Sequence, residues 1–193
     1  MTRGLIWAVL AGGLIVPTAL AATSPLLAWR DPVYIVAGFC GIIGLWLLLV
    51  QPVLAGGYLG LRRGRKIHQI VGALLIMAVL GHVVGLWITS PPDVVDALLL
   101  RSATPFSLWG VIAMWGVFAT ALLAVLRQRL KPRHWRMGHT GLGIAIVEGS
   151  VAHALLIEGT MELWSKLALC LLVIAATFKV VQSRRAFAKR KPA

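Results

Sequence analysis

The chain has 193 residues, of which 59% are hydrophobic and 13% charged, and its formal net charge is +13. That is too little polar surface for a soluble domain of this size, and the basic residues lack the aromatic or motif support of a nucleic-acid-binding face. What remains is a protein of the bilayer.

Six apolar stretches are long enough, or nearly so, to cross about 30 Å of hydrocarbon: Leu5 to Ala22, Val33 to Leu54, Ile67 to Thr89, Phe106 to Leu126, His139 to Ile157 and Trp164 to Val181. The connections between them are short, so the expectation is a single all-α six-helix membrane bundle spanning residues 1–193, with no inserted soluble domain. All nineteen lysines and arginines except Arg30, Arg101 and Lys166 fall on one side of this pattern, while Asp31, Asp93, Asp96, Glu158 and Glu162 sit in the opposite loops. The positive-inside rule then places both termini in the cytoplasm and the acidic loops in the exterior or periplasm, with the net charge largely a topology signal.

In the first span, Arg3, the apolar run from Leu5 and Ala19-Leu20-Ala21 imitate a secretory signal with a small-residue cleavage site. The run is longer than a signal core, and the charge alternation of the later loops works with the segment retained, so it reads as a span. The first outer loop has proline punctuation and Trp29 at the interface, and Pro52 is expected to bend or end the second span. Cys40 and Cys170 lie within spans and read as packing residues, not a disulfide.

The third span opens with Arg65 to His82, RKIHQIVGALLIMAVLGH, which has the form R-x2-H-x3-G-x9-H. Fourteen residues of helix advance about 21 Å and turn through nearly four revolutions, so His68 and His82 share one face at two depths. Gly72, Leu75 and Val79 lie on that face between them. The outer loop that follows, Ser90 to Pro105, contains DVVDALLL, a candidate short surface helix and lid. In the fourth span Trp109 is placed at the interface and Trp115 deeper, where it reads as a packing or lipid-facing residue more readily than as a bridge for electrons.

The fifth span repeats the pattern 71 residues after the first occurrence, in Arg136 to His153, RMGHTGLGIAIVEGSVAH, with Gly143, Ile146 and Ser150 between the histidines. The third and fifth spans run in the same direction, so His68 would stand level with His139, and His82 with His153. One histidine in an apolar helix is usually a hydrogen-bonded packing residue, but four in matched pairs weaken that account. Zinc gathers its ligands at one point, and levels about 21 Å apart cannot share one ion. Bis-histidine haem needs one imidazole from each side of the ring, which two facing helices can supply. Gly72 and Gly143, each one turn beyond a histidine, would leave room for a flat macrocycle. No C-x-x-C-H occurs, so the haem would be b-type.

Arg65 and Arg136, three residues before the inner histidines, are candidate partners for haem propionates, and Arg30 or Arg101 would serve the outer group. His134 and Trp135 fall in the basic fourth loop, and His134 reads as an interfacial residue. Glu148, half a revolution from the histidine face at membrane depth, would be either protonated and bonded to a neighbouring helix or part of a proton or quinone site. In the last span Lys166 and Lys179 lie near the ends, where long stems reach the headgroups, and SRRAFAKRKPA reads as a solvated basic tail.

The paired R-x2-H-x3-G-x9-H segments within six spans resemble the ferric reductase-like transmembrane domain superfamily. That group includes ferric reductases, the NADPH oxidase membrane core and the haem-binding subunit of the bacterial methionine sulfoxide reductase system. The resemblance covers roughly Val33 to Val181. It implies two haem b groups held by His68, His82, His139 and His153, in a protein of the bacterial inner (plasma) membrane. It also implies electron flow outward to a ferric chelate, a periplasmic redox partner or dioxygen. The flavin and nicotinamide module usual in ferric reductases is not expected here, because only a short tail follows the sixth span and Gly141-Leu142-Gly143 lacks the context of a dinucleotide fingerprint. The donor would then be a cytoplasmic flavoprotein or a membrane quinol. The alternative from another class is a non-redox membrane protein, a transporter or assembly factor, whose histidines pack or bind metal transiently.

Overall fold

A computed structural model describes residues 2–189, with side chains described through Ser183. Arg190 and Lys191 of the basic tail lie outside the described residues. The elements are α1 (Arg3–Ala22), a 3-10 turn (Pro25–Leu27), α2 (Pro32–Ala55), α3 (Gly64–Thr89), α4 (Pro91–Leu98), α5 (Pro105–Val125), a second 3-10 turn (Leu126–Arg129), α6 (Pro132–Leu156) and α7 (Leu163–Lys189). Six of these helices are long and apolar enough to cross a membrane, each containing one of the predicted spans or nearly so.

Helix starts follow local chemistry. Proline opens α2, α4, α5 and α6, where its fixed φ suits the first turn and its missing N–H costs nothing. Asp31 caps α2 by accepting from the Val33 amide at 2.7 Å, and Glu162 caps α7 by accepting from Trp164 and Ser165 at 2.9 and 2.8 Å. Pro52 lies in the last turn of α2, which ends three residues later at Ala55. Gly57 and Gly60 then reverse the chain at φ 69° and 62°, a region open to glycine without a Cβ clash.

Two boundaries differ from expectation. The short helix α4 forms over Pro91–Leu98 with Val94 buried beneath it. More consequentially, α6 begins at Pro132, seven residues before the predicted span, so His134 and Trp135 belong to its first turn and not to a loop. Hydropathy marks where a helix meets hydrocarbon, whereas the helix itself continues into the headgroup region for as long as its backbone bonds are satisfied.

The bundle is built from two intimate antiparallel pairs, α2 with α3 and α5 with α6, joined mainly through α7, which lies against α2 and α6. The pairs α1–α2 and α1–α7 complete it, and the Trp46 indole donates to the Leu10 carbonyl at 2.8 Å. The buried cluster draws Leu45, Leu49 and Val53 from α2, Leu75 from α3, Ile146 from α6 and Val173 from α7. Large apolar side chains such as Ile15, Met77, Leu122 and Phe178 point outward, as a lipid-facing surface requires. The two histidine-bearing helices, α3 and α6, have almost no direct backbone packing on each other.

Candidate functional site

Across the gap between α3 and α6 the histidines meet two by two. His82 and His153 have ring centres 6.2 Å apart at an interplanar angle of 81°. His68 and His139 have theirs 6.1 Å apart at 69°. All four residues are part-buried.

Each outer imidazole is held by the partner helix of its own pair. His82 Nδ1 lies 2.7 Å from the Ala37 carbonyl on α2, and His153 Nδ1 lies 2.9 Å from the Phe106 carbonyl on α5. A carbonyl oxygen only accepts, so both Nδ1 atoms carry the proton, and both Nε2 atoms keep the lone pair with which imidazole binds metal. The approach is permitted by glycine four residues further along each helix. A Cβ at Gly41 would stand 3.1 Å from His82 Nδ1, and one at Gly110 would stand 2.7 Å from His153 Nδ1. Gly41, Gly110 and the two carbonyls were not anticipated. The signal was present, because the glycines lie 69 residues apart, close to the repeat of the histidine helices, but on the helices that precede them.

The inner level is furnished differently. Trp135, one turn before His139, stacks on its ring at 5.1 Å and 11°, and the Arg127 guanidinium sits 4.8 Å above the Trp135 ring. On the other side the Gln51 amide donates to the His68 carbonyl at 3.4 Å. Gln51 also covers Gly72, where a Cβ would meet its Nε2 at 3.2 Å, whereas Gly143 faces open space. Arg65 and Arg136 are exposed, and Arg136 Nε donates to Pro132 of its own helix at 3.2 Å.

A cavity of about 790 Å³ opens at the outer level, its deep walls formed by Leu45, Leu75, Val79 and Ile146 with both outer histidines, and Ser150 also contributes. Ligand clefts commonly fall between about 300 and 1,000 Å³. Its rim carries Arg30, Ser90, Asp93, Ser102 and Glu158. Lys166 also lines it, and here the structure corrects the expectation that this lysine reaches the headgroups. It is 6% exposed, and its ammonium donates to the Ile157 carbonyl at 2.9 Å, because α7 starts beside the end of α6 and turns that face inward. Arg101 is exposed and does not line the cavity.

The other candidates point elsewhere. Glu148 is exposed on the surface of α6. Trp115 is exposed, meets Phe118 edge-to-face at 5.8 Å and does not line the cavity. His134 is exposed on the first turn of α6, and Cys40 and Cys170 are free thiols. Among the described residues no three His, Cys, Asp or Glu side chains converge on one point. Comparison with known protein families, with curated proteins and with solved structures finds no match for this chain.

Proposed function

We propose that this chain is a di-haem b-type transmembrane electron-transfer protein of the ferric reductase-like kind. It would carry electrons from a cytoplasmic flavoprotein or a membrane quinol to an exterior or periplasmic acceptor, in the bacterial inner membrane with both termini cytoplasmic. The observation that supports it is the pair of facing imidazoles at each of two levels, 6.1 and 6.2 Å between ring centres. Two imidazoles on opposite sides of one metal should have ring centres about 6 Å apart, since each metal–nitrogen bond is about 2 Å and each ring centre lies about 1 Å behind its nitrogen. The spacing of the imidazoles therefore fits the group at both levels, and the cavity beside His82 and His153 adds room for it at the outer one.

On this reading His68 and His139 hold the inner haem and His82 and His153 the outer one, and haem b supplies one-electron redox chemistry when bound. The chain's own contribution is ligation and environment. The Ala37 and Phe106 carbonyls fix the outer tautomers and ring planes. Leu45, Leu75, Val79 and Ile146 surround the outer site with apolar wall, which excludes water and influences potential. Trp135 braces the ring of His139.

Absorption spectroscopy on protein purified from haem-replete cells tests the proposal. A dithionite-reducible b-type spectrum with two haems per chain is expected. His82→Ala and His153→Ala should each remove the same haem, and His68→Ala and His139→Ala the other. A colourless, monodisperse wild-type preparation would overturn the reading and favour a non-redox membrane protein.

A further inference from the structure

We propose that Lys166 is the centre of a carboxylate-binding subsite at the outer mouth of the cavity. A buried ammonium is costly in an apolar surround unless its donors and its charge are answered. Lys166 is 6% exposed, and the Ile157 carbonyl takes one of its three donors at 2.9 Å. It lines the same cavity as His82 and His153. The other charged groups around that cavity are already turned to other tasks or lie at its exposed edge. Arg30 is exposed with its guanidinium 5.0 Å above the Tyr34 ring, Asp93 accepts a hydrogen bond from the Ser90 hydroxyl, and Glu158 is exposed. The α7 N-terminus is closed by Glu162, which accepts from Trp164 and Ser165, so the backbone amides there are not the anion's partner. Lys166 is thus the deep-set cation of this cavity, on an element whose histidine-free sequence gave no hint of a site.

The ligand chemistry is a carboxylate. One source is a propionate of a tetrapyrrole seated between His82 and His153, in which case the inference rests on the di-haem reading. The other is a free carboxylate compound entering from the exterior, which does not depend on it.

The test compares wild type with Lys166→Gln and Lys166→Arg in the full-length protein in detergent, using three probes: haem, haem dimethyl ester and citrate. If a propionate is the partner, Lys166→Gln weakens outer-site affinity for haem by about tenfold or more, as expected for a lost charge-assisted bond. It would leave affinity for the dimethyl ester unchanged, and Lys166→Arg would restore most of the loss. If a free carboxylate is the partner, both tetrapyrroles bind the variants as they bind wild type, while calorimetric citrate binding is lost in Lys166→Gln and kept in Lys166→Arg. Unchanged affinity for all three probes overturns the proposal even if two haems are bound. A wild type that binds no haem overturns the di-haem reading instead, and citrate binding then decides the subsite alone. Should Lys166→Gln fail to fold, equal outer-site affinity of wild type for haem and its dimethyl ester, together with no citrate binding, overturns the subsite.

Discussion

At Gly110 a Cβ would stand 2.7 Å from His153 Nδ1, with His153 Cε1 at 3.0 Å, so any side chain must push the imidazole off the Phe106 carbonyl. Loss of such an orienting bond commonly costs a metal site about 10- to 100-fold in affinity. On the di-haem proposal, Gly110→Ala is therefore expected to weaken outer haem binding by about that factor and to lower the haem-to-protein ratio from two towards one. Gly41→Ala should be milder, since its Cβ would stand 3.1 Å away. Gly143→Ala gives the contrast for the inner level, because no protein atom stands within 4 Å of the added Cβ: on the di-haem proposal, a fall in inner haem content there would mean that the macrocycle itself lies against Gly143. A second residue-scale effect depends on pH. The amides of Trp164 and Ser165 bond to the Glu162 carboxylate and hold its pKa below the ordinary carboxylate value. A depressed folded-state pKa means that the stabilisation is complete above the unfolded value of about 4.3 and is lost as pH falls through the folded one. Glu162→Gln should therefore melt below wild type at pH 7, and the gap should close in thermal scans carried below about pH 4.

The elements act as two helix pairs, and their closeness has a steric origin. A Cβ at Gly149 would meet the Trp109 carbonyl at 2.9 Å and Ala113 Cβ at 3.2 Å, so α6 presses on α5 at a point where only glycine fits. Gly149→Val is expected to wedge the pair apart and cost about 1–3 kcal/mol, the usual range for an overpacked core. Denaturant titration of the detergent-solubilised protein would measure it, and an unchanged midpoint would show that the two helices separate without penalty. The same closeness brings the Phe106 carbonyl within reach of His153, so on the di-haem proposal the variant should also lose outer haem. The early start of α6 has its own consequence, because it places Trp135 one turn below His139, where the rings stack at 5.1 Å.

For the whole molecule, the decisive arrangement is that α3 and α6 have almost no direct backbone packing on each other while their histidines approach at two levels. The membrane orientation proposed for this bundle follows from the basic residues between α2 and α3, such as Arg63, and between α5 and α6, such as Arg129, set against Asp93 and Asp96 of α4. A phosphatase reporter that is active only after export should be silent when fused after Arg63 or Arg129 and active when fused after Leu100. The reverse pattern would invert the direction of electron flow proposed here.

The amino-acid sequence by itself determined the membrane class, the six apolar helices and the placement of each histidine pair on one helix face. These are properties of a single helix: hydropathy over a window, and a fourteen-residue spacing that nearly closes four turns. Tertiary structure alone decided which neighbours those faces meet. The spans are apolar nearly all round, so sequence pattern says little about how far each helix is rotated about its axis. That rotation turned Lys166 inward and Glu148 outward, laid Gln51 over Gly72, and brought the Ala37 and Phe106 carbonyls to the outer imidazoles.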